Sequence, residues 1–179
     1  MPAREGRVTT QQIILMIALY LVALVVVAWF TRATARRVAG ALAGGAAFGL
    51  VAFGMIALGE ARGWWQVPMS RTPDYLALLY LSFIVSCAPV YLVTWRVARR
   101  FGGRGLAVCI VVAAVIGPPR DYLIAATFPE WITFAPGVAP VLAVAVTYAG
   151  IVAVGHPVMY LVAGPSRADR LARHPGEAD

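Results

Sequence analysis

The chain has 179 residues, of which 61% are hydrophobic and only 13% charged, with a mean hydropathy of +0.79. That balance belongs to integral membrane proteins and excludes an ordinary soluble domain. All 15 basic residues are arginine, which excludes any chemistry that needs a lysine amine, and the net charge of +7 contains no long basic block that would suggest a nucleic-acid partner.

A hydrocarbon core about 30 Å thick takes about 20 apolar residues in helical form. Five segments reach that length: residues 12–30, 38–59, 75–95, 105–127 and 138–163. The expected fold class is all-α: a polytopic integral membrane protein built as a five-helix transmembrane bundle in one membrane domain, with a short cytoplasmic tail at 164–179. The first segment follows Arg4 and Arg7 and precedes Ala33-Thr34-Ala35, a pattern shared with cleavable signal peptides. Its apolar stretch exceeds the ~7–15 residues of such a signal, so it reads as a retained span.

The second segment contains "GALAGGAAFGLVAFG", in which Gly40, Gly44, Gly45 and Gly49 recur at four-residue spacing. Small residues so placed let helix backbones approach closely, either within one bundle or across a homo-oligomer or membrane-partner interface. The third carries Ser82 and Ser86 one turn apart, then Cys87 and Pro89. Hydroxyls there can compensate backbone groups freed by a proline kink. Cys87 and Cys109 both sit in apolar runs and read as small buried hydrophobes; no metal or cofactor is expected.

Arginines sort by side in the five-span scheme. Those after the first, third and fifth segments total ten, against five on the opposite face, Arg4, Arg7, Arg62, Arg71 and Arg120. Positive residues favour the cytoplasmic side, which places the N-terminus outside and the C-terminus in the cytoplasm. The expected location is a bacterial cytoplasmic membrane.

The fourth segment is interrupted by "GPPRDYLIAATFPEW", residues 117–131. With 1.5 Å of rise per residue, Asp121 falls about 24 Å along its span and Glu60 about 33 Å along the second, both near the outer surface. Trp64, Trp65, Tyr122, Glu130 and Trp131 map to the same level. An ionisable residue inside a span is costly and points by default to function. Three readings of Arg120-Asp121 stay open: Pro118-Pro119 ends the helix and lifts both into water, the residues form a buried orienting pair, or they line a polar pocket. The tryptophans fit either a pocket or an aromatic belt at the headgroups. His156, about 27 Å along the fifth segment, is far from Asp121 and reads with Pro157 as a helix kink.

Carboxyl groups in apolar surroundings remain protonated more readily and can donate a proton to an alkene or epoxide. Indole and phenol faces stabilise a resulting carbocation, and a second carboxylate can remove a proton. At these residues a family appears. Glu60 closing a helix, "GWW" shortly after it, and "DYLIAAT" in the fourth segment resemble emopamil-binding-protein-like (EXPERA) sterol isomerases, and membrane terpene cyclases look similar in style. The resemblance implies a five-helix isomerase or cyclase acting on an apolar isoprenoid or lipid. It departs at Ile56, where the family has histidine, and at Ser82 and Ser86, where a third-helix acid is missing. The catalytic roles it implies therefore fall on Glu60 and Asp121, with Arg120, Trp64, Trp65, Tyr122, Glu130 and Trp131 around the substrate. Two other expectations compete: a non-catalytic lipid-binding or transport protein, and an accessory subunit of a membrane complex.

Overall fold

The computed structural model describes residues 8–165. Arg4, Glu5 and Arg7 at one end, and Arg167, Asp169, Arg170, Arg173, Glu177 and Asp179 of the tail, lie outside the described residues. Four helices form the body: α1 (Thr10–Thr31), α2 (Ala35–Ala61), α3 (Pro73–Thr127) and α4 (Val138–Ala163), with two-residue strands β1 (Trp65–Gln66) and β2 (Thr133–Phe134) in the connections. All four are long and apolar enough to cross a membrane.

Local signals start and stop the first two helices. Thr9 caps α1 with its hydroxyl 3.3 Å from the Gln12 amide, and the Gln12 side chain accepts from the Thr9 amide at 2.8 Å, a reciprocal box that satisfies two donors left open at the helix start. Arg32 ends the helix in the left-handed conformation, with φ 51°. Thr34 then caps α2 through the Arg37 amide at 3.4 Å. Only Ile13, Ile17, Leu24 and Thr31 of α1 are buried, a single stripe, while Leu15, Leu19, Val25 and Phe30 face outward. An apolar outer face is what a lipid-facing helix presents.

α2 packs against α3 and α4 and is narrow because it is rich in glycine. A methyl group on Gly40 would stand 2.8 Å from the Ala163 methyl, and one on Gly44 would stand 2.5 Å from the Gly155 carbonyl oxygen, so this edge of α2 abuts α4. Methyls on Gly45 and Gly49 would collide with the Ile84 backbone and the Tyr80 ring, so the other edge abuts α3. The four glycines thus face neighbours within this chain. Around them pack Phe48, Tyr91, Leu92, Trp95 and Met159, all almost fully buried.

α3 is 55 residues long but is not one rod: Gly102 departs from helical geometry, with φ 65° and ψ −149°. In a straight helix Ser86 and Arg120 would be about 50 Å apart. Instead both line one cavity, so the chain reverses at Gly102. The sequence placed a loop between residues 95 and 105. The structure keeps helix through Phe101, because "RVARRF" consists largely of good helix formers and only glycine accepts the positive φ without steric cost. Pro89, Pro118 and Pro119 lie inside helix with no further non-helical residue, so the helix does not end at Pro118-Pro119.

Two arginine and serine details also differ from a simple loop-and-kink picture. Arg37, one of the arginines after the first span, is only 2% exposed; its guanidinium donates to the carbonyls of Gly164 at 2.7 Å and Pro165 at 2.9 Å and lies over the Trp95 ring. The Ser82 and Ser86 hydroxyls donate to the Leu79 and Phe83 carbonyls, not to that of Val85, which Pro89 deprives of its helical donor.

Gly45→Ala is expected to lower stability by about 1–3 kcal/mol, because its methyl meets rigid backbone. Gly54→Ala, with nothing within 4 Å, is expected to be neutral or stabilising by up to about 1 kcal/mol. Denaturant unfolding in mild detergent, followed by tryptophan fluorescence, measures both.

Candidate functional site

A cavity of 330 Å³ opens between the helices at the end of the bundle remote from Gly102. Apolar side chains make most of its wall, among them Ile13, Phe48, Ala52, Leu79 and Val144. The connections cover it. β1 and β2 pair antiparallel, Trp65 opposite Phe134 and Gln66 opposite Thr133, and this short ladder holds Trp65, Val67, Trp131, Ile132 and Phe134 over the cavity. Trp65 is 6% exposed and donates its indole N–H to the Ile56 carbonyl at 3.3 Å. It fits because residue 59 is glycine: any side-chain carbon there would overlap the indole ring.

Arg120 and Asp121 are the charged residues of the described lining. Uninterrupted helix through Pro118-Pro119 carries them to the wall, where groups from two other helices meet them. Arg120 Nη1 donates to Asp121 Oδ1 at 3.0 Å and also contacts the Tyr148 hydroxyl of α4; Nη2 reaches the Tyr20 hydroxyl of α1 at 3.3 Å. Tyr148 donates to the same Asp121 oxygen at 2.5 Å, and the guanidinium lies 6.0 Å from the Tyr148 ring centre. The Tyr148 ring enters this position because position 117 is glycine, where a methyl would clash with it. Among the described residues both protein bonds to Asp121 fall on Oδ1, which leaves Oδ2 outside the network.

Adjacent helical residues point about 100° apart, and on that ground Arg120 and Asp121 need not meet. They do, since the long arginine side chain bends back to the neighbouring carboxylate. Among the eight residues picked from sequence, Asp121, Arg120, Trp65 and Trp131 share this cavity. The other four are not in its lining. Glu60 ends α2 and holds the covering loop: its Oε1 accepts from the Val67 amide at 3.3 Å and its Oε2 lies 3.8 Å from Arg71. Trp64 packs against Trp65 with ring centres 6.1 Å apart. Tyr122, one residue beyond Asp121, turns the other way and stacks on Phe134 at 4.4 Å. Glu130 lies in the connection between Thr127 and β2.

Sequence reasoning missed Tyr20 and Tyr148. Each is a phenol within a largely apolar helix, a signal visible in the sequence, but nothing along the chain joins either to Arg120. Ser86 and Cys87 likewise reach the cavity wall, beyond the kink assigned to them. No cluster of three or more histidine, cysteine or acidic side chains able to hold a metal occurs among the described residues.

A double-mutant cycle on Arg120→Met and Asp121→Leu tests whether the pair acts as a unit. The double variant is expected to be more stable than the two singles imply, by roughly 0.5–3 kcal/mol, because each single change leaves an ion without its partner. Additive effects in the same unfolding assay would show two independently solvated charges.

No protein-family model, curated protein or solved structure matches this chain.

Proposed function

We propose that this chain is an integral protein of a bacterial cytoplasmic membrane that admits an apolar isoprenoid or lipid to the covered cavity and moves a proton to and from it through Asp121. The observation that carries the reading is the lining itself: one arginine–aspartate pair, two tryptophans and a few hydroxyls in a mostly apolar, ligand-sized space. Five crossings, an external N-terminus and a cytoplasmic C-terminus belong to the proposal. They are supported by the reversal at Gly102, which turns one long helix into two antiparallel runs, and by the excess of arginine on one side.

The chemistry reduces to a single carboxyl group, because Glu60 holds the loop outside the lining. Protonated Asp121 gives its proton to one carbon of an alkene and becomes a carboxylate, and a carbocation forms at the adjacent carbon. The faces of Trp65 and Trp131 stabilise that cation by roughly 0.5–2 kcal/mol each. The carboxylate then takes a proton from a neighbouring carbon, which shifts the double bond and restores the acid. Tyr148 and Arg120 hold Oδ1 throughout and leave Oδ2 for the transfer.

A second reading is binding without conversion, as in a lipid carrier. The observation that favours it is the mutual neutralisation of Arg120 and Asp121 across 3.0 Å. The two readings separate in one experiment. Purified protein in nanodiscs, given a panel of prenyl alcohols and sterols in deuterated water, is expected to shift a double bond with deuterium incorporation. Asp121→Asn is expected to slow this by about 100-fold or more, while Glu60→Gln stays within a few-fold of wild type. Full activity of the Asn variant would overturn the proton-transfer role. Ligand retained in native mass spectra without conversion would select the binding reading.

A further inference from the structure

At the opposite end of the bundle, His156 of α4 is 8% exposed and sits beside α3. Its Nδ1 lies 3.0 Å from Thr94 Oγ1, and that hydroxyl is also 3.1 Å from the Tyr91 carbonyl oxygen. A hydroxyl has one proton, and a carbonyl oxygen only accepts. With the Thr94 proton placed on the Tyr91 carbonyl, the hydroxyl oxygen accepts from the ring. Nδ1 carries the proton in the neutral imidazole, and Nε2 is left with its lone pair.

Nε2 has no protein hydrogen-bond partner among the described residues, yet it is not one of the enclosed atoms. The ring lines a groove of 550 Å³ together with Gly102, Gly103, Leu106, Pro157, Leu161 and one further polar side chain, the Tyr160 phenol. No charged side chain is in that lining among the described residues. Leu161 is 79% exposed, on an apolar flank that faces lipid if the helices span the bilayer.

We infer that this groove binds a bilayer amphiphile with a hydroxyl head, a long-chain or isoprenoid alcohol, whose O–H donates to His156 Nε2 while its chain lies along Leu106 and Leu161. The imidazole nitrogen left without a protein partner is an acceptor and the Tyr160 phenol both donates and accepts, a pair that a hydroxyl head complements. Among the described residues the lining offers no guanidinium and no carboxylate to hold a phosphate or an ammonium head. The apolar walls require a hydrocarbon chain, and the reversal at Gly102 supplies a recess that a continuous helix would lack. The groove is separate from the Asp121 cavity and does not depend on any activity there.

Full-length protein in phosphatidylcholine nanodiscs, photolabelled with a diazirine-bearing hexadecanol and with its methyl ether, tests the inference. The alcohol is expected to label peptides covering residues 98–106 and 157–165 about threefold to tenfold more than the ether, the ratio expected for one hydrogen bond. His156→Phe removes the acceptor and is expected to bring the two probes to equal labelling. Gly103→Leu leaves His156 intact and fills the groove from the far wall, where a methyl meets nothing within 4 Å; it is expected to abolish labelling by both. The Leu variant keeps the test decisive if the Phe variant does not fold. Equal labelling by alcohol and ether in wild type, or labelling undiminished in Gly103→Leu, would overturn the proposal. Asp121→Asn is expected to leave the labelling unchanged.

Discussion

Backbone-to-backbone contact along α2 sets the spacing of this bundle. Lipid is as apolar as leucine, so helices in a bilayer gain little from hiding apolar side chains from it; they associate through close packing and hydrogen bonds. Gly44 against Gly155 and Gly45 against Ile84 bring three helices together at distances that no side chain permits. Tyr91 fills the recess at Gly155 and Tyr148 the one at Gly117, so aromatic rings occupy the places where glycine is found. The positions of both polar sites follow from that spacing, because each is assembled from side chains on different helices.

The same economy governs the polar groups. A charge among apolar helices must bring its partners with it. Arg120 has three, one on its own helix and two phenols on α1 and α4, and together they tie three helices at one end of the bundle. Arg37 does the equivalent work at the other end, where it joins the start of α2 to the carbonyls after α4 and covers the Trp95 ring. Serine and threonine hydroxyls donate to backbone of their own helices and so carry little cost. His156 differs from all of these in having one nitrogen satisfied and one directed outward.

The cavity cover illustrates how a loop gains order without much regular structure. Two ladder pairs, one carboxylate on a loop amide and an indole bonded to a helix carbonyl hold the segments after α2 and before α4 in place. Glu60 serves this cover, which explains how an acid can stand next to a cavity and yet not face it. Access for a ligand then depends on the gaps between helices or on movement of this cover.

Composition and hydrophobic length alone determined the helical, membrane-type character of the chain, since 1.5 Å per residue converts apolar runs directly into helix lengths. The same axial arithmetic brought Glu60 and Asp121 to neighbouring levels, and Glu60 does contact Val67, whose residue lines the cavity. What the sequence lacked was rotation about each helix axis. Whether Asp121 or Tyr122 faces the cavity, and whether Glu60 faces inward or toward a loop, depends on how each helix turns when packed on its neighbours. Tyr20 and Tyr148 join Arg120 across 100 and 28 residues of sequence, so only tertiary packing could reveal that cluster. The contact of His156 with a hydroxyl 62 residues away was decided in the same way.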